Sequence, residues 1–361
     1  MKILVWQWGR RGAGPRYAAG LAASLGRVTG TAAALSLSAQ SEVMDVADPP
    51  PCDLPFSTYT GTMSLLARLP AAPFQIHALA VRLRAIAPDV AICAMPAALD
   101  WMMSRALRRV GIPFLVVVHD ANAHPGDRFP RTQMHLQRAL IRRSDGAFAL
   151  TTHVADQLRT RRLLGDRPLF ITTLPPFSFG RPPPPPRAHG GKLRLLSFGR
   201  LLPYKGLDLL AEALHLLGPR DDIEVRVVGK GPPSAELDRL AAMPNVTVER
   251  RWVPEPEVGD LLTWSDVLVL SHRTASQSGG VADAIAAGRW IIGTRVGGIT
   301  EQLDGNDQAR LCPPTPAGLA EAIAGLLANP PATAPPADTS AAWAKMAARM
   351  VANIASHIPP R

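Results

Sequence analysis

The chain is poor in cysteine and lysine and has no apolar run long enough to cross a bilayer. Cys52, Cys93 and Cys312 stand singly across 361 residues, so they offer neither a disulfide framework nor metal-ligand spacing. Three free thiols in a reducing cytoplasm are expected. A membrane-spanning helix takes roughly 18 consecutive apolar residues or more, and no stretch approaches that. The opening MKILVWQW reads as a strand, without the charged region and cleavage site of a signal peptide. A protein neither secreted nor integral to a membrane is expected. A nicotinamide dehydrogenase would need Gly-x-Gly-x-x-Gly after the first strand. Gly12-Ala-Gly14-Pro-Arg-Tyr17 lacks the third glycine.

What is present suits two domains, because 361 residues with 47% hydrophobic content can fill two cores. The net charge of +10 is unevenly placed: residues 1–190 hold 22 Lys/Arg and 11 Asp/Glu, residues 191–361 hold 17 and 18. The first half therefore carries +11 and the second −1, which points the first half at an anionic partner such as a membrane surface or a lipid pyrophosphate. A plain arginine-rich composition explains the same count. Nucleic acid is not expected, since the basic stretches Arg105 to Arg109 and Arg159 to Arg162 lack interleaved aromatics.

Strands alternate with helices along the chain. KILVWQW (2–8), a helix from about Tyr17 to Leu25, TAAALSL (31–37), DVAICAM (89–95), IPFLVVVHD (112–120), GAFALT (146–151) and LFITTLP (169–175) predict a doubly wound parallel sheet. The stretch RPPPPPRAHGG (181–191) reads as a linker. Alternation then restarts with KLRLLSFGRL, IEVRVVGKG, NVTVERRWV and VLVL. The fold class is α/β, with Rossmann-like domains over 1–180 and 192–330 and a cleft between them for ligands. A C-terminal helix over 338–358 is expected to pack back on the N-terminal domain, with a free amphipathic membrane helix as the alternative.

The densest chemistry lies in SHRTASQSGGVADAIAAGRWIIGTRVGGITE (271–301). Thr274, Ser276, Gln277, Ser278, Gly279 and Gly280 form a turn before a helix, where unpaired N–H groups and the helix dipole favour an anion. Asp283 lies inside that helix, where burial is costly unless its carboxylate accepts hydrogen bonds, and sugar hydroxyls are suitable donors. Glu301 after Gly297-Gly298 is either a ligand contact or a helix N-terminal residue stabilised by the dipole. SFGRLLPYKG (197–206) sets Gly199, Arg200 and Lys205 at a strand's C-terminal end, where two cations can clamp a diphosphate. Only five lysines occur in the chain, and Lys205 and Lys230 both follow strands of this domain. Gly229 and Gly231 either admit a nucleotide or make a tight turn. In the first domain His119-Asp120 ends the most apolar strand, where His119 can exchange a proton with a bound hydroxyl or be structural. His124 and Arg128 follow in the same loop. Gly14 either reaches toward a ligand or only turns the chain.

In their order and spacing, SFGRLLPYKG, VVGKGP, RWVPEPE, SQSGGVADAIAAG and VGGITE resemble the GT-B glycosyltransferases of retaining family 4. The resemblance spans nearly all of the second domain and, in the first, the HD pair and the Gly-rich loop. It implies a nucleotide-diphosphate sugar as donor substrate, with Arg200, Lys205 and the amides of 278–280 on the diphosphate. Asp283 would then hold ribose hydroxyls, the base would lie near Val228 to Gly231 and Arg251 to Val253, and His119 would contact the transferred sugar. No cofactor or metal ion is implied, in keeping with the lack of an Asp-x-Asp motif. A glycan or lipid-linked acceptor in bacterial polysaccharide or glycolipid assembly is expected, at the inner face of the cytoplasmic membrane. One departure stands out: the family's first Glu falls at Ala275 or Thr274. That departure makes a catalytically weak binding or scaffold partner one alternative, and a nucleotide-sugar epimerase, which shares the fold, is the other.

Overall fold

The computed structural model describes residues 1–126, 129–177 and 183–358. Arg128, the proposed boundary at 178–180 and the first two residues of the Pro-rich stretch lie outside them. Two compact units emerge. The first holds residues 1–123, 129–173 and 340–361, and the second holds 124–128 and 174–339.

The first unit is built on six parallel strands: β1 Lys2–Gln7, β2 Ala32–Leu37, β3 Val90–Cys93, β4 Phe114–Val118, β5 Gly146–Ala149 and β6 Leu169–Ile171, ordered β2-β1-β3-β4-β5-β6. Both faces of such a sheet are covered, which is why β3, β4 and β5 are continuous apolar runs. The covering helices are α1 Ala13–Leu25, α2 Thr62–Arg68, α3 Ala72–Ile86, α4 Asp100–Arg109, α5 Pro130–Arg143 and α6 Thr152–Thr160. Helix α1 starts four residues before the predicted Tyr17. Gly12 takes a φ of +86° as its N-cap, and Pro15 falls in the first turn, where a missing N–H costs nothing. The predicted strands at 112–120 and 169–175 are shorter, running 114–118 and 169–171, and Pro113 stands just outside the first of them.

The second unit repeats the plan with β7 Leu193–Arg200, α7 Leu207–Leu217, β8 Ile223–Lys230, α8 Ala235–Ala241, β9 Val246–Arg250, α9 Glu255–Trp264, β10 Val267–Leu270, α10 Gly279–Ala286, β11 Trp290–Thr294, α11 Gly297–Leu303, β12 Ala309–Cys312 and α12 Pro316–Ala328. All its strands are parallel, in the order β12-β11-β10-β7-β8-β9. The order reverses between β7 and β10. At such a switch point the loops leaving neighbouring strands run to opposite faces and open a crevice at the strands' C-terminal ends.

The described part of the Pro-rich stretch is tied down rather than loose. Asp266, 1% exposed, accepts from the amides of Arg187 and Arg194 and from His189 Nε2 (3.0 Å). Arg289, equally buried, donates to the carbonyls of Ser265 (2.9 Å) and Pro184. The last helix, α13 Thr339–His357, contributes Met346, Ala347, Met350 and Ile354 as buried residues. From Ser340 onward it belongs to the first unit, where Trp343 lies against Tyr17 and over Gly20.

Candidate functional site

In the second unit the candidate site forms where β7 and β10 end. Gly199 has a φ of +118°, a conformation that suits glycine, and among the described residues only Lys205 Nζ, at 3.9 Å, comes near where a Cβ would stand. Lys205 ends a 3-10 turn, Pro203–Lys205, whose middle residue Tyr204 is 6% exposed. The guanidinium of Arg200 sits 5.3 Å from the centre of the Tyr204 ring and Lys205 Nζ sits 5.6 Å from it. Cations at that range are drawn to the ring face, so one aromatic holds both. His124 stacks on the same ring at 4.3 Å, and His272 meets it edgewise at 6.0 Å.

Backbone contacts lock this turn to the end of β10. Ser271 Oγ donates to the Lys205 carbonyl (2.8 Å) and the Arg273 amide donates to that of Tyr204 (2.8 Å). A Cβ on Gly206 would fall 2.0 Å from Ser271 O, so glycine is required there. Burial, with Lys205 and His124 nearby, holds the His272 imidazole well below its ordinary pKa. His272 is therefore neutral, and its buried Nδ1 has no hydrogen-bond partner among the described residues.

The turn before α10 differs in part from expectation. The Ser278 amide, predicted to face an anion, is taken by Gln302 Oε1 (2.8 Å), and Gln302 Nε2 returns a bond to Ser278 O (3.3 Å). The leading amides of α10 beyond it, on Gly279 and Gly280, have no preceding carbonyl in helical register. Gly279 has open space where a Cβ would stand, whereas Gly280 packs against Leu268 and Leu270. Ser276 and Ser278 are buried, Gln277 is half-buried with a buried Oε1, and Thr274 is exposed. Ala275 lies in the core beside Val281 and Ile299, and its carbonyl accepts the Gly298 amide (3.0 Å). Asp283 is half-buried on α10, and Glu301 is exposed on α11.

Gly229 and Gly231 have a structural explanation. A Cβ on Gly229 would lie 1.7 Å from Gly199 O, and one on Gly231 would lie 2.0 Å from Leu201 O. These glycines let β8 run against β7 and its continuation, where Arg200 pairs in register with Lys230. Val228 is fully buried in the core, so its side chain is unavailable to a base. Val253 packs half-buried against the cluster of Val258, Leu262 and Ala287, and the nearby Arg251 is engaged with Glu249 (2.9 Å) and Glu257 (2.5 Å).

The remaining predicted residues belong to the first unit. His119 follows β4, is 5% exposed, and donates from Nε2 to Ala94 O (2.9 Å). Burial lowers its pKa. The neutral ring thus leaves Nδ1 as an acceptor, without a partner among the described residues. Asp120 is half-buried, and its carbonyl accepts from Gln137. Gly14 lies inside α1, where a Cβ would meet Gln7 Nε2 at 2.8 Å and Met95 Sδ at 3.1 Å. It is a packing glycine rather than a loop residue. Sequence reading overlooked Tyr204, His272 and Gln302. An aromatic directly before Lys205 was the available signal for Tyr204; nothing local marks the other two.

Two doubly wound parallel units in one chain place the fold in the GT-B class of α/β proteins. Residues 192–329 match the family described as glycosyl transferases group 1, and residues 12–172 match the glycosyl transferase 4-like domain. The chain belongs to the group 1 glycosyl transferases. It is similar over 116 residues, at 28% identity, to the phosphatidylinositol N-acetylglucosaminyltransferase GPI3 subunit of Saccharomyces cerevisiae. That match covers 31% of this chain and 26% of the yeast protein, so the chain spans about a quarter of the length of the curated relatives it matches. In fold it resembles Anabaena HepE in complex with UDP-glucose (TM-score 0.66, 15% identity, 99% of this chain and 95% of that one). It also resembles the UDP-GlcNAc 2-epimerase of Neisseria meningitidis bound to UDP-GlcNAc (TM-score 0.59, 14% identity, 99% of each chain).

Proposed function

We propose that this chain is a retaining glycosyltransferase that moves a hexosyl group from a nucleoside diphosphate sugar to a glycan or lipid-linked acceptor. The reading places it in bacterial polysaccharide or glycolipid assembly, at the inner face of the cytoplasmic membrane, acting without metal or cofactor. The observation that carries it is the Tyr204 ring flanked by Arg200 and Lys205, beside the open Cα of Gly199.

The chemistry follows from charge. As the anomeric carbon–oxygen bond breaks, positive character grows on the sugar and negative charge on the departing diphosphate. Arg200 and Lys205, prepositioned by Tyr204, stabilise that charge, and the Gly279 and Gly280 amides add donors. The acceptor oxygen bonds to the anomeric carbon from the leaving-group side, and its proton passes to the released phosphate oxygen. No protein nucleophile is assigned. Asp283 is assigned to ribose hydroxyls, and His119 Nδ1 accepts from a hydroxyl of the transferred sugar. The first unit is assigned the acceptor.

Thermal-shift titration with UDP-, GDP- and ADP-sugars tests donor binding, and nucleotide release with and without acceptor tests transfer. Acceptor-dependent release that fails in Lys205→Ala supports the reading. Free nucleotide and an epimerised sugar formed without acceptor would make the chain an epimerase. Binding without turnover would make it a binding partner, the reading favoured by Thr274-Ala275 standing where the resemblance puts a glutamate.

A further inference from the structure

One face of the first unit carries charge that the donor site does not use. Helices α3, α4 and α5 lie side by side, α3 against α4 and α4 against α5, and hold nine arginines: two, three and four in turn. Their one acidic residue is Asp100, which is 1% exposed and accepts from Trp6 Nε1 (3.2 Å), the Ala97 amide (2.6 Å) and Cys93 Sγ (3.4 Å). It presents no charge to solvent. No Asp or Glu occurs from 54 to 88, from 101 to 119 or from 128 to 144.

A groove lies between α4 and α5. One hollow, of about 370 Å³, has a largely apolar lining that includes Ala97, Trp101, Leu136 and Leu140. His135 borders it and also a second hollow of about 520 Å³, formed by α5 with residues 122–123 and walled by Arg131, Arg138 and Arg142. Arg138 Nε is buried with no hydrogen-bond partner among the described residues. An unpaired buried donor is costly until an acceptor reaches it. On the same layer Phe74 is 78% exposed, and Met63 on α2 is 79% exposed.

We propose that the outer face of α3, α4 and α5 seats on an anionic phospholipid bilayer. One lipid phosphate lies among Arg131, Arg138 and Arg142, and its first apolar carbons lie on the Trp101–Leu140 floor. An inorganic phosphate would leave that floor unused, and a nucleic acid would find no row of aromatics on which to stack its bases. The exposed Phe74 and Met63 suit the membrane interface, where apolar side chains leave water while arginines meet phosphates. The inference deepens the reading of a membrane-proximal acceptor and rests on it for biological purpose.

The test is co-sedimentation of the full chain with phosphatidylglycerol-containing vesicles and with pure phosphatidylcholine vesicles. Arg131→Ala/Arg138→Ala/Arg142→Ala removes three cations at the surface and is expected to weaken binding to anionic vesicles about a hundredfold. Phe74→Ser, at a site too exposed to unfold the domain, is expected to weaken it less. Equal binding to neutral vesicles, or unchanged binding by both variants, overturns the proposal. Binding only when the vesicles carry a polyprenyl phosphate also overturns it and assigns the groove to the acceptor. A nucleotide-sugar thermal shift run in parallel keeps the two readings apart: its absence in the wild type strikes the donor assignment alone.

Discussion

Gly279→Ala separates a glycine kept for packing from one kept for a ligand. Gly279 is the first residue of α10, and a Cβ built there meets no atom of the described residues within 4 Å. Its backbone is also acceptable to an L residue, so the fold has no reason to resist alanine. Alanine is the better helix former and narrows the unfolded ensemble; in a first turn this gives about 0.5 kcal/mol of stability, or a rise of about 1–2 °C in Tm. A diphosphate oxygen bonded to the Gly279 amide would lie about 3 Å from that nitrogen, within contact of the new methyl. Donor affinity is therefore expected to fall at least about tenfold, or about 1.4 kcal/mol. Differential scanning calorimetry of the ligand-free protein and calorimetric titration with the preferred nucleotide sugar read the two effects separately. A lower Tm would show that the glycine serves the fold, and unchanged donor affinity would remove the diphosphate from this helix end.

Gly229→Ala is expected to do the opposite, because its Cβ would stand 1.7 Å from Gly199 O. The strand ends must part, and denaturant titration should show a loss of about 3 kcal/mol or more, as in other overpacked sites. Arg200→Ala and Lys205→Ala should each lower kcat about 100- to 1000-fold with Tm nearly unchanged; near wild-type rates would remove them from the leaving group. His272→Gln tests the neutral imidazole. Its folded pKa is held below the ordinary 6.5, so the unfolded chain protonates first and wild-type stability, full above that value, is lost as pH falls through it. Glutamine does not titrate. The stability gap between wild type and variant should thus change below pH 6.5 with a slope approaching about 1.4 kcal/mol per pH unit, and a constant gap from pH 7 to 5 would contradict the assignment.

The strands were readable in sequence because a parallel sheet buried on both faces demands runs such as FLVVV in β4 and VLVL in β10. Strand ends and helix starts were less readable: α1 begins at Ala13 through the φ of Gly12, a property of one residue's backbone rather than of any period. The cations of the site were legible because Arg200 and Lys205 sit at fixed distances from a glycine at a strand end. The means of holding them was not. Tyr204 brings His124 and His272, from segments far apart in the chain, to its near neighbours Arg200 and Lys205, and no local pattern records a meeting of that kind. The same holds for Gln302, which occupies the Ser278 amide from 24 residues away. Gly14 and Gly229 show the converse, since glycines that suggest ligand approach turn out to admit Gln7 and Gly199.

The position of α13 has a consequence for how the chain comes off the ribosome. The residues of the second unit end at Thr339, so all of them are made before the body of α13. The first unit, although synthesised first, waits for Trp343, Met346, Met350 and Ile354. From Thr173 to His357 is 357 − 173 = 184 residues, or roughly 10–40 s of elongation at about 5–20 residues per second. Throughout that interval the α1 surface around Tyr17 and Gly20 lacks its cover. The earlier-made unit therefore waits for α13, and its exposure to chaperones and proteases lasts until that helix is in place.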